Sequence, residues 1–301
     1  MRDKGPILVP LDGSEVAEGA LPYAVALATA LGEGLVLVCA WEGGDSDLPV
    51  TFPAIATEIQ QKATEYYGEY LGGISKRIGN TVSVQTKVVS GDAAQEILKA
   101  ADAANARLLV MATHGRSGIG RWVYGSTAAR LVHDSQIPIV AVGPHALKRA
   151  AAGVAIKHLM VPVDGSPLSE AAVPIAKTLA AALGARITLA RSVRWAMQTY
   201  PYGLPDAYVP EIDAEMEKGA KEYLRRQEAA VAPVPCDAFV VRGAAADGLI
   251  DLEETQSIDL VVMTTRARTG VARAALGSTA DRMLQGNAPV LLVPPEAAGA
   301  A

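Results

Sequence analysis

The chain has 301 residues, half of them hydrophobic and a fifth charged, with a net charge of −5; that is a folded globular composition, long enough for one large or two ordinary domains. No apolar run approaches the ~20 residues of a membrane-spanning helix, and the weak acidic balance gives no broad basic field, so neither a membrane nor nucleic acid is an expected partner. Two widely separated cysteines, Cys39 and Cys236, without a CxxC partner exclude a disulfide framework and a zinc site.

In chain order, the N-terminus enters a strand pattern at once, "PILVPLD", with no signal-peptide apolar region, so a cytoplasmic protein is expected. That run ends at Asp12-Gly13-Ser14, and a helix should follow with Ser14 as its N-cap and a proline kink at Pro22. A second strand, "GLVLVCAW", leads through a Pro-containing stretch into a polar-faced helix, "EIQQKATEYYGEYLGGISKRIG". Then come a third strand ending at Gly91, the helix "DAAQEILKAADAANA", a fourth strand "RLLVMAT", a glycine-rich loop, a helix and a fifth strand "IPIVAVG".

The pattern is then written again. Asp12 returns as Asp164, Leu31-Gly32 as Leu183-Gly184, Gly91 as Gly243 and Gly125-Ser126 as Gly277-Ser278, all displaced by 152 residues. Ser166 takes the capping place of Ser14, with Pro167 at the first helical position, and Pro174 repeats Pro22. We expect a first domain over 1–145, a linker over 146–154, a second domain over 155–296 and a tail over 297–301. Alternating strands and helices, with nearly unbroken apolar strands, predict two tandem five-stranded parallel-sheet α/β sandwiches. In "WAMQTYPYGLPDAYVPEIDA", after the second strand of the second copy, the aromatics suit either an interface or a small local core beneath a long loop.

Ligands of open parallel sheets sit beyond the C-terminal strand ends, where strand order reverses. Asp12, Ala40 with Trp41, and the loop "MATHGRSGIGRWVYGST" (111–127) all fall there. Glycines let backbone N–H groups approach a polyphosphate, a following helix N-terminus favours negative charge, and Ser126, Thr127, Arg116 and Arg121 could add donors and charge. The competing reading is a surface turn with a serine cap. Asp12 likewise suits either a base or ribose donor, or an Asx-turn that merely shapes the bend. Neither Gly-x4-Gly-Lys-Ser/Thr nor a Gly-x-Gly-x-x-Gly after the first strand is present. No acidic residue at a strand end near the glycine loop suggests a hydrolytic metal site, and His114 suits a solvated loop residue better than a base; His133, His145 and His158 carry no assigned chemistry.

These residues resemble the tandem universal stress proteins over nearly all of both halves. The nucleotide-binding branch carries Gly-x2-Gly-x9-Gly-Ser/Thr after the fourth strand; here Ala112, Gly115 and Gly125-Ser126 hold those places, with only the first glycine replaced. The resemblance implies a Rossmann-like fold that binds ATP, with or without magnesium. It puts Pro10, Asp12 and Ala40 around adenine and ribose, and Met111, Ala112, Gly115, Gly125, Ser126 and Thr127 near ribose and phosphates. In the second copy Pro162, Asp164 and Ser192 match the adenine side. Met263, Thr264, Ala267, Gly277, Ser278 and Thr279 match the rest, two glycines being lost at Thr264 and Ala267. The resemblance thus implies an adenine-nucleotide-binding stress regulator, at most a slow ATPase, with the tighter site in the first copy. It also implies pairing of the two copies as a pseudo-dimer or of two chains as a homo-oligomer, and a protein partner not named by the sequence. An interaction scaffold that binds no nucleotide is the alternative, and a cyclic nucleotide would be served equally well by the adenine-side residues. An adenylate-forming enzyme of the wider group would need a second substrate pocket and a pyrophosphate loop that the sequence does not show.

Overall fold

The structure is a computed structural model that describes residues 1–43, 53–113, 125–150, 153–193, 197–198, 207–208, 210–264 and 277–295. The chain divides into two compact units, residues 1–155 and a second that starts at Ile156.

The first unit runs β1 (Ile7–Leu11), α1 (Glu15–Glu18), α2 (Leu21–Leu31), β2 (Leu35–Trp41), α3 (Pro53–Ile78), β3 (Val84–Ser90), α4 (Ala93–Ala103), β4 (Leu108–Ala112), α5 (Ser126–Asp134), β5 (Ile139–Val142) and α6 (Pro144–Ala150). Its five strands are all parallel, in the order β5-β4-β1-β2-β3. Leu8, Val36, Val38, Leu109 and Met111 from alternate strand positions bury one face of this sheet against Ala94 and Ile97 of α4 and Leu131 of α5. The opposite positions, Ile7, Val9, Leu35 and Leu37, are also fully buried, as are Leu27 of α2 and Leu71 and Ile74 of α3. Burial on both faces is why these strands read as continuous apolar runs.

The second unit repeats the plan with β6 (His158–Pro162), α7 (Pro167–Glu170), α8 (Ala172–Leu183), β7 (Arg186–Val193), a short antiparallel pair β8 (Met197–Gln198) and β9 (Ala207–Tyr208), α9 (Pro210–Val231), β10 (Cys236–Arg242), α10 (Ala245–Thr255), β11 (Leu260–Thr264), α11 (Ser278–Met283) and β12 (Val290–Val293). Its parallel order, β10-β7-β6-β11-β12, is the same as that of the first unit. In each copy the chain moves outward from the first strand in one direction, then crosses to its other side for the fourth. The reversal point therefore lies between β1 and β4, and between β6 and β11.

One local expectation is corrected. The kinked helix after Ser14 is two helices, α1 and α2, and Pro22 lies in the first turn of the second. Proline is tolerated there because its missing N–H would have no partner in a first turn. Within the stretch expected to link the halves, α6 reaches Ala150, with Ala146 and Ala150 buried and the Tyr23 hydroxyl donating to Ala146 O at 3.0 Å. Among the described residues no helix is long and apolar enough to cross a membrane.

Candidate functional site

The turn after the first strand is built the same way in both units. Gly13 (φ +83°) and Gly165 (φ +87°) take the left-handed conformation that L side chains avoid, which reverses the chain just beyond Asp12 and Asp164. Asp12 Oδ1 accepts from Ser14 N at 3.0 Å and from the Ser14 hydroxyl at 2.6 Å, while Ser14 Oγ accepts from Ala17 N at 3.2 Å and so caps α1. Asp164 Oδ1 accepts from Ser166 N at 2.9 Å and the Ser166 hydroxyl at 2.6 Å, and the Asp164 amide donates to Ser169 Oγ at 3.1 Å. The Asx-turn is thus present in both halves, and it occupies one carboxylate oxygen. Oδ2 of Asp12 has no hydrogen-bond donor among the described residues. Burial pushes the Asp164 carboxyl up, but donation by Ser166 and Ser169 outweighs it and holds the group below its ordinary value, hence ionised at neutral pH.

At the end of the second strand, Pro10 pairs in register with Val38 and Leu11 with Cys39, so Ala40 lies level with Asp12. Pro162 pairs with Ala190, and Ser192 follows two residues later. The Ser192 hydroxyl donates to Gly243 O at 3.1 Å, and the Gly91 and Gly243 amides donate to Trp41 O and Val193 O at 3.1 and 3.0 Å, tying the second and third strand ends together.

At the fourth strand, Met111 is buried and Ala112 half-buried. The Gly125 amide donates to Thr113 O at 3.2 Å, which brings the far end of the glycine loop back to the strand it left. Helix α5 then starts at Ser126 with Gly125 at its cap and no capping side chain, leaving its first amides for an outside acceptor. Helix α11 starts the same way after Gly277, which has φ +95° where Gly125 has φ −53°. Gly115 and Ala267 lie outside the described residues, as do His114, Arg116 and Arg121.

In the second unit these strand ends enclose a cavity of about 270 Å³. Pro162, Asp164 and Ser192 border it on one side; Met263, Thr264, Gly277, Ser278 and Thr279 border it on the other. In the first unit Pro10, Asp12, Ala40, Met111, Ala112, Gly125, Ser126 and Thr127 occupy the corresponding strand ends and helix start.

Sequence reasoning missed two contributions. Ala245 and Leu249 of α10, with Leu168 of α7, supply an apolar wall of the cavity; the i, i+4 spacing after Gly243 was the available signal. Behind the Asp turn, burial and Glu18 raise the Tyr70 hydroxyl pKa, and burial and Glu170 raise that of Tyr223. Both tyrosines sit in an "EYL" triplet, 69–71 and 222–224. The Arg191 guanidinium stacks over the Tyr223 ring at 4.4 Å, packing it beneath the Gly165 turn.

Comparison with known proteins agrees with this doubled plan. A universal stress protein of Mycolicibacterium smegmatis is 26% identical over 303 residues, covering 96% of this chain and 97% of that one. A universal stress protein of Mycobacterium bovis is 32% identical over 137 residues, and the match spans less than half of either chain, 45% of this one and 44% of the other. The crystal structure of a universal stress protein from Archaeoglobus fulgidus shares the fold with a TM-score of 0.69 at 17% identity, over 96% of this chain and 98% of that one. The universal stress protein family model matches residues 5–143 and again 155–294, so the chain is a tandem member of the universal stress protein family.

Proposed function

We propose that the chain is a regulatory protein that binds adenine nucleotide, ATP foremost, with slow or no hydrolysis. The observation that supports this reading best is the cavity of the second unit, which is bordered by every predicted residue of that half except Ala267. Its volume, about 270 Å³, sits just under the range of about 300–1,000 Å³ usual for small-molecule pockets. That is room for a base and sugar, with phosphates reaching the start of α11. The Asp164 carboxylate accepts from a base or ribose donor, Met263 and Leu249 supply apolar contact for a ring, and Ser278, Thr279 and the first helix amides meet phosphate oxygens. The first unit offers the same groups through Asp12, Met111, Ser126 and Thr127. Its loop keeps Gly115 where the second has Ala267, so it should bind more tightly. Among the described residues no cluster of three or more His, Cys, Asp or Glu could hold a metal. A magnesium ion accompanying ATP would be carried by the phosphates, with the hydroxyls of Ser126 and Ser278 available to it. Bound nucleotide serves as a signal, changing a surface that a partner protein reads.

Calorimetric titration with ATP and with GTP tests this. Two unequal ATP-binding events per chain, no comparable GTP heat, and less phosphate than protein released over an hour are the expected results. Absence of ATP binding would leave the fold as an interaction scaffold. Equal occupancy of both sites at sub-saturating ATP would contradict the ranking of the two halves.

A further inference from the structure

The direction of α5 decides where the amides of Ser126, Thr127 and Ala128 point. One turn into this helix, Arg130 Nη1 donates to Asp92 Oδ2 at 2.5 Å. The other oxygen of the same carboxylate, Oδ1, accepts from Gln95 N at 3.0 Å and caps α4. The residue before it, Gly91, has φ +130° and donates its amide to Trp41 O at the end of β2. A continuous line of hydrogen bonds therefore runs from the strand end that carries Ala40, through Gly91 and Asp92, to the helix that carries Ser126. The side chains of Arg130 and Asp92 are 44% and 38% exposed, so the tie works partly in water.

The second unit keeps the arginine and moves its partner. Arg282 stands 152 residues beyond Arg130, and its Nη2 donates to Asp247 Oδ1 at 2.8 Å. Asp247 lies in the first turn of α10, whose cap position is Ala244 with no capping side chain. An ion pair between the same two helices, rebuilt with a carboxylate from a different position, indicates that the inter-helix tie itself is what both halves retain.

We propose that Arg130 and Asp92 are positioning residues for the phosphate end of the first site: the pair holds the start of α5 in the direction in which its amides meet phosphate oxygens. Neither side chain touches the ligand. The inference rests on the nucleotide reading above, and it separates phosphate affinity from adenosine affinity. Asp92→Ser keeps a capping oxygen for Gln95 N and removes the charge. Arg130→Gln removes the cation and keeps a good helix former. Calorimetry with ATP and with adenosine is run on the full chain and on each variant, with Arg130→Lys as the conservative control. At the tighter ATP site, each variant is expected to bind ATP roughly threefold more weakly, the size an exposed ion pair supports. Adenosine affinity stays unchanged, the double variant is no weaker than either single one, and Arg130→Lys recovers part of the loss. Equal weakening of ATP and adenosine, or unchanged ATP affinity in both variants, overturns the inference while leaving the nucleotide reading standing. A wild-type chain that binds neither ligand overturns both.

Discussion

Asp12 offers the sharpest separation of structure from binding, because its two oxygens have different tasks. Oδ1 accepts from the Ser14 amide at 3.0 Å and the Ser14 hydroxyl at 2.6 Å, while Oδ2, without a donor among the described residues, is the oxygen the proposed nucleotide reading assigns to the ligand. Asp12→Asn keeps a carbonyl oxygen for the turn but replaces the second acceptor with an NH2 donor. Hydrogen bonds to charged groups contribute about 1.5–3 kcal/mol against about 0.5–1.5 for neutral ones. At this half-buried position the turn should therefore weaken by about 1 kcal/mol, lowering the unfolding midpoint of a unit this size by about 2–4 °C. The ligand side loses a charge-assisted bond outright and gains a donor facing a donor, which costs about 1.5–3 kcal/mol, or roughly ten- to a hundredfold in ATP affinity at the first site. Asp12→Ala removes both functions and should lower stability further for a similar loss of binding. Thermal unfolding without nucleotide, paired with calorimetric titration, reads the two effects separately. An Asp12→Asn chain with a lowered midpoint but the wild-type ATP affinity would show that Asp12 only shapes the turn, and would refute the reasoning.

Other expectations follow from single groups. Gly277→Ala forces an L side chain into φ +95° and should destabilise the second unit by about 1–2 kcal/mol. Gly125→Ala, at φ −53° and ψ 142°, should be neutral or stabilising by up to about 1 kcal/mol; equal urea midpoints for the two variants would contradict this. His158 is buried with Nδ1 against Gln256 O at 2.9 Å and Nε2 against Thr188 Oγ1 at 2.7 Å. A carbonyl can only accept, so Nδ1 carries the proton and Nε2 accepts from the Thr188 hydroxyl. Burial, followed by the Arg186 charge, lowers its pKa. The folded state therefore disfavours the imidazolium, and the stability it contributes is complete above the unfolded value of about 6.5 and is lost as pH falls below it toward the lowered folded value. Urea midpoints should drop between neutral pH and mildly acidic pH by more in the wild type than in His158→Gln; equal drops would remove His158 as the cause. Cys39 is buried and should react with a thiol reagent at neutral pH only when the chain unfolds, whereas half-buried Cys236, its thiol raised to about 11 by burial, should react more slowly than a free thiol; rapid labelling of both in the folded protein would contradict that.

The repeat, the parallel α/β class and the capping serines were legible because they are local or periodic. Ser14 accepts from an amide three residues away, and Asp12 from groups two residues away, so short stretches of sequence carry the whole signal. The break between α1 and α2 was misread because a proline eight residues beyond a cap suggests a helix interior, whereas here it starts a new helix. Helix α6, which runs into the expected linker, was not foreseen because what holds it is long-range: Tyr23 bonds to Ala146 across 123 residues. The same distance effect hid the apolar wall made by Ala245 and Leu249, the Arg130–Asp92 pair and the burial of His158 between Thr188 and Gln256. Which residues border the cavity was legible through the family resemblance at the strand ends, carried from one half to the other by the repeat.

The most direct test of the account is to equilibrate the purified chain with ATP, remove free nucleotide rapidly, denature the protein by heat, and identify and count what it releases by mass spectrometry. Intact ATP at between one and two equivalents per chain, the first half filling before the second as the ATP concentration is raised, is the predicted result. A supernatant without adenine nucleotide would contradict the central claim.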